Sequence, residues 1–153
     1  METFEKLEVW REGKVLAVEV YRSFRTCRDF SFRDQIHRAA LSVHANIAEG
    51  VERNSAAEFK NFLGVAKGSA GELRTFLSIA GELDYLPKDQ EGKLVESCIR
   101  LSKRIHALIL SLENRYALKK EKLFDSILKT QDHLNLNLNL NAELWVCRGK
   151  LGE

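Results

Sequence analysis

The sequence predicts an all-α fold, an up-down-up-down antiparallel four-helix bundle with a low-complexity C-terminal tail. Three observations point there. Apolar residues recur every three to four positions over most of the chain. Pro87 is the only proline, and long stretches are rich in Leu, Ala, Glu, Lys and Arg, all good helix formers. The gaps between the periodic segments span only a few residues, which makes successive helices antiparallel neighbours. A length of 153 residues suits one domain with a full core. We place the bundle domain at 1–130 and the tail at 131–153.

Segment one runs from Thr3 to Cys27, with Thr3 as its cap and Glu5 in the first turn, where a negative charge suits the helix dipole. Leu7, Trp10, Leu16, Val20, Phe24 and Cys27 form its apolar stripe, and Arg28-Asp29 break it. Segment two begins at Ser31, which with Asp34 resembles a capping box, and ends near Asn54, a residue that tolerates the left-handed conformation. Its stripe is Ile36, Ala40, Val43 and Ile47. Segment three runs from Ser55, in a cleaner capping box with Glu58, to about Asp84. Phe59, Phe62, Ala66, Leu73, Phe76, Ala80 and Leu83 carry its periodicity, interrupted by Gly64, Gly68 and Gly71. Glycine inside a helix costs up to ~1 kcal/mol relative to alanine, so three of them predict a close backbone approach; local fraying is the alternative.

Pro87 can begin a helix but not continue one. Segment four therefore runs from about Lys88 to Tyr116, extendable to Thr130. It shows two stripes, one of Leu94, Cys98, Leu101, Ile105, Leu108 and Leu112, the other of Val95, Ile99, Ser102 and Ile109. One stripe suffices for a bundle helix. The second implies either a subunit contact or a wide core face. From Leu134 to Asn141 leucine and asparagine alternate strictly, which is a strand period without a partner strand and reads as low complexity.

Composition excludes several classes. No apolar run reaches the ~18 residues that span a bilayer. Met1 to Lys6 carries acids and no apolar stretch, unlike a signal peptide. Both observations imply a cytoplasmic protein with no membrane partner. Cys27, Cys98 and Cys147 form no CxxC pair and read as reduced structural thiols. No Glu-x-x-His occurs, and His37 and His44 lack a third ligand, so neither a metal nor another cofactor is expected. No nucleophile elbow or phosphate-cradling glycine loop appears, so the chain does not read as an enzyme.

Two constellations remain. Arg38, Ser42, Asn46, Glu49 and Arg53 fall along one side of segment two among small alanines. They form either a ligand site or a buried polar network that fixes register, with Glu72 as the expected partner of Arg38. The second is a charge excess. Net charge is only +2, yet Arg100, Lys103, Arg104, Arg115, Lys119, Lys120 and Lys122 face only Glu113 and Glu121 over their stretch. Such bases either neutralise phosphates or form a solvated face. Tyr116, Trp10 and Tyr21 are candidate stacking groups.

Two stretches carry a resemblance. One runs from Gln35 to Gly50 and includes Asn46-Ile47-Ala48-Glu49-Gly50, with Arg53 beyond. The other holds Phe62-Leu63, Ala66, Gly68-Ser69, Glu72-Leu73 and Glu82-Leu83-Asp84-Tyr85-Leu86. With Phe4, Leu7, Val9 and Trp10, they resemble the four-helix bundle proteins of intervening sequences in 23S rRNA genes, over about residues 4–116. That family is related to the accessory variability proteins of diversity-generating retroelements. The resemblance implies a homopentamer with a nucleic-acid-associated role, in the retroelement relatives as a partner of a reverse transcriptase and its RNA. It marks Arg38, Ser42, Asn46, Glu49, Gly50, Arg53 and Glu72 as signature positions. Family members often carry Gly where Asp84 stands, so the turn there is expected to differ slightly.

The function expected is a homo-oligomer that binds RNA or DNA, or a nucleic-acid enzyme, through basic surfaces. The alternative is a structural or protein-interaction module with no nucleic-acid affinity.

Overall fold

In the computed structural model, which describes residues 3–53 and 55–134 with side chains through Ile127, the chain folds into four helices: α1 Glu8–Ser23, α2 Phe30–Glu52, α3 Ala56–Glu82 and α4 Lys88–Leu134. Packing divides the chain at Glu113–Asn114 into a bundle unit and a second unit. The tail beyond Leu134 lies outside the described residues, as do Cys147 and Asn54.

The ends of the helices follow local chemistry. Thr3 makes no side-chain cap, and segment one is not one continuous helix. A 3-10 turn, Phe4–Lys6, precedes an extended Leu7 (φ −73°, ψ 123°), and α1 starts after it. The break folds Phe4 back onto Trp10, with ring centroids 5.1 Å apart. Helix α1 stops at Ser23, earlier than expected, and the buried Phe24 leaves helical geometry. Asp29, not Ser31, caps α2: its carboxylate accepts the Phe32 amide hydrogen at 2.9 Å. Ser55 caps α3 as expected, accepting from the Glu58 amide at 3.1 Å while its hydroxyl donates to the Glu58 carboxylate at 2.9 Å. Helix α3 ends with Asp84 at φ 53°. The Tyr85 amide reaches back to the Ala80 carbonyl at 2.8 Å and the Asp84 amide to Gly81 at 3.4 Å, a Schellman closure. The Pro87 carbonyl then takes the amides of Gln90 and Glu91, starting α4.

Contacts between neighbouring helices run in opposite numerical directions, which makes all four antiparallel. Gly13 meets His44 while Tyr21 meets His37 across α1 and α2. Phe32 meets Phe76, Ser42 meets Ser69, and Gly50 meets Phe62 across α2 and α3. Lys60 pairs with Glu113 and Lys67 approaches His106 across α3 and α4. Gln90 donates to Ser23, and Arg104 pairs with Glu8 and Glu12, closing α4 against α1. The core they enclose includes Val20, Phe24, Ile36, Val43, Ile47, Leu63, Leu73, Leu77, Leu101 and Ile105, all fully buried. Each such side chain contributes about 1.5–3 kcal/mol by leaving water.

The glycines correct one expectation. Among the described residues, no atom beyond the helix's own backbone lies within 4 Å of where a Cβ would stand at Gly64, Gly68 or Gly71. These three face away from the buried line of Leu63, Ala66, Ala70 and Leu73, and no described neighbouring helix approaches them. The close approaches are elsewhere. A Cβ on Gly13 would sit 3.0 Å from His44 Cβ, and one on Gly50 would sit 2.7 Å from Phe62 Cβ.

Candidate nucleic-acid interface

The polar stripe of α2 divides into separate groups. Ser42 and Ser69 share a hydrogen bond of 2.9 Å across the α2–α3 seam. Asn46 donates to the Ser42 carbonyl at 2.7 Å and to its hydroxyl at 3.0 Å, and Ser69 donates to the Val65 carbonyl at 3.1 Å. This half-buried relay satisfies its polar groups where alanines bring the helices close. Glu49 pairs with Arg53 one turn on, and the Arg53 guanidinium lies 5.1 Å from the Phe62 ring centre. Gly50 sits between them against Phe59 and Phe62. Arg38 and Glu72 are both exposed and do not pair with each other, contrary to expectation. Both project to solvent, where water already solvates each charge and nothing enforces a pair. The stripe is thus chiefly a seam between two helices of the same chain.

The histidines of α2 face α1. His37 stacks on Tyr21 with centroids 3.8 Å apart and planes 11° from parallel. His44 meets the edge of Trp10 at 6.2 Å and packs on Gly13. Burial holds the His37 pKa down, Arg33 lowers it further, and Asp34 opposes them. Burial also lowers His44, opposed by the Ala40 carbonyl and reinforced by Lys14. His44 Nδ1 faces that carbonyl one turn back without closing a well-formed hydrogen bond. Among the described residues no three His, Cys, Asp or Glu side chains converge. Burial pushes the Cys98 thiol up to about 12, against a smaller opposing pull from Arg74, so it stays protonated at neutral pH.

The bases of α4 fall into two sets. In the bundle unit, Lys103 is exposed and Arg100 donates to Ser97 Oγ at 3.4 Å. Arg104 bridges Glu8 and Glu12 on α1, so its charge is already matched. No sequence spacing reveals this pairing, since those partners lie more than ninety positions upstream. In the second unit, Arg115, Lys119, Lys120 and Lys122 are all exposed. Of the candidate stacking groups, Trp10 is taken up by Phe4, His44 and Lys14, and Tyr21 by His37. Tyr116 is 67% exposed and stands on the same stretch of α4 as those four bases. Phe124, which sequence reasoning missed, joins it there at 38% exposure.

The two stripes of α4 also separate. Leu94, Cys98, Leu101 and Ile105 are buried. Val95, Ile99, Ser102 and Ile109 are half-buried, with Val95 and Ile109 packed on the core edge. Val95 borders a shallow, open depression with Glu91 of α4 and Arg74, Thr75, Ser78 and Ile79 of α3.

The family model for the 23S rRNA-intervening sequence protein matches residues 5–107. The chain belongs to the 23S rRNA-intervening sequence protein family. A solved protein of unknown function from the S23 ribosomal protein family of Bacteroides thetaiotaomicron is similar to it at 25% identity and a TM-score of 0.63. The similarity covers 66% of this chain and 97% of that one. No curated protein matches the chain. The family match ends at residue 107 and so covers Arg100, Lys103 and Arg104, while the four bases of the second unit lie beyond it. No helix among the described residues is long and apolar enough to cross a membrane.

Proposed function

We propose that this member of the 23S rRNA-intervening sequence protein family is a non-catalytic, cytoplasmic homo-oligomer that binds nucleic acid, or a nucleic-acid enzyme such as a reverse transcriptase, through basic surfaces. One observation carries the reading: exposed bases outnumber acids on α4, and Lys103, Arg115, Lys119, Lys120 and Lys122 make no ion pair among the described residues. The mechanism is electrostatic and tolerant of sequence, since phosphate contacts position a polyanion without reading bases. Self-assembly, pentameric on the family resemblance, multiplies each weak patch into useful avidity. Its support is the apolar and small-residue surface left uncovered: Val15 and Val18 on α1, Leu41 on α2, and Val65 and Ile79 beside Gly64, Gly68 and Gly71 on α3.

Binding of labelled RNA as a function of salt tests the reading. Four phosphate contacts per chain give a log–log slope of about −3, a loss of tens-fold between about 50 and 200 mM salt. Reversing Lys119, Lys120 and Lys122 to Glu abolishes that binding. RNA retention unchanged by the reversal, or independent of salt, would leave the bases as a solvated face.

A further inference from the structure

We infer that the stretch of α4 from Asn114 to Ile127 is a binding element for single-stranded nucleic acid, in which Tyr116 and Phe124 stack on bases while Lys119 and Lys120 hold the phosphates. The inference rests on the nucleic-acid reading above and narrows it to a ligand form and a place. At 100° per residue, Tyr116, Lys119, Lys120, Leu123, Phe124 and Ile127 fall within roughly 140° of helix arc. Asp125 lies on the opposite side, and Glu121 lies outside the arc, beyond its Phe124 edge. Apolar and basic groups thus share one face, and the acids are kept off it.

That combination selects the occupant. Tyr116, Leu123, Phe124 and Ile127 are 67, 62, 38 and 49% exposed, too much apolar surface for a face meant only for water. A second copy of the same helix is disfavoured, because it would bring Lys119 and Lys120 of both copies into one contact whose face carries no acid to pair them. A bilayer surface calls for a broader apolar face than four residues with two lysines among them. A single strand offers both things the face requires, flat apolar surfaces and regularly spaced negative charge. Tyr116 and Phe124 are eight residues apart, about 12 Å along the axis, a span of a few nucleotides. A duplex hides its base faces and could use only the lysines.

The test compares an oligouridylate of about 20 nucleotides with an RNA duplex of similar length, both titrated against the full chain at about 50 mM salt. Tyr116→Ala and Phe124→Ala each weaken single-strand binding roughly five- to a hundred-fold and leave duplex binding unchanged. Lys119→Glu with Lys120→Glu weakens both. Each position is an exposed helix site, and far-UV circular dichroism checks that the helix content is kept. Equal binding of the single strand by wild type and the aromatic variants overturns the inference while the electrostatic reading stands. Aromatic variants that lose binding only to vesicles containing phosphatidylserine overturn it in favour of a lipid surface. No binding of either RNA by wild type overturns both.

Discussion

Single residues set the fit of this bundle where the helices come closest. At Gly50 a methyl group would press into Phe62 Cβ and the Phe59 ring at 2.7 and 2.9 Å. Gly50→Ala is therefore expected to cost about 1–3 kcal/mol, read as a lower urea midpoint with an unchanged slope. Asp84 works in the other direction. Its φ of 53° is a conformation in which a side chain is strained, although aspartate bears it better than most. Asp84→Gly relieves that strain and is expected to stabilise by about 0.5–1 kcal/mol in the same titration. Arg104 is the residue whose role changes most between sequence and structure. It looks like one more cation of a basic run, but it bridges two acids of α1. Because it is 41% exposed, Arg104→Ala is expected to cost no more than about 1 kcal/mol. The same substitution should change RNA affinity far less than reversal of Lys119 and Lys120.

At the scale of elements, the α1–α2 seam is the pH-sensitive one. His37 and His44 are both held neutral there, chiefly by burial, with Arg33 and Lys14 adding like charge. Tyr21 and Trp10 face them from α1 and bring no compensating acid. A histidine whose folded pKa lies below its ordinary 6.5 contributes stability above that pH. That contribution is lost as pH falls from 6.5 toward the lowered folded values. Thermal melts should therefore show a lower Tm at acidic than at neutral pH, and His37→Phe, which removes the titrating ring while keeping an aromatic ring against Tyr21, should shrink the difference.

The same elements show what a sequence can carry. The Ser55–Glu58 box was legible because its partners are three residues apart. The α2 cap was not, because Asp29 and Ser31 are both good caps and only the path of the Phe32 amide chooses between them. The break at Leu7 depends on the meeting of Phe4 and Trp10, which no periodicity records. Charge can be counted on α4 but not its pairing: Arg115, Lys119, Lys120 and Lys122 are exposed, while Arg104 is matched by Glu8 and Glu12. Glycine positions in a helical pattern signalled proximity without saying where: Gly13 and Gly50 meet a neighbour, and Gly64, Gly68 and Gly71 face outward.

For the whole molecule, the bundle unit hides one core and leaves other apolar surface in water. Val15, Val65 and Ile79 are 58, 53 and 42% exposed, and the outward glycines of α3 leave room for another backbone to approach closely. Singly, exposed aliphatics are ordinary, but Val65 and Ile79 stand on the same side of α3 as the three open glycines, and such a face suits contact between copies. If copies associate there, Gly68→Glu or Ile79→Glu should disperse them without unfolding the chain, since neither position touches its core. Loss of assembly should also weaken RNA binding, because each patch would then act alone. Sedimentation equilibrium of the native protein at micromolar concentration tests the central claim most directly. A mass several times that of one chain, falling to one chain in Ile79→Glu, is the predicted result; a folded, stable single chain at that concentration would contradict it.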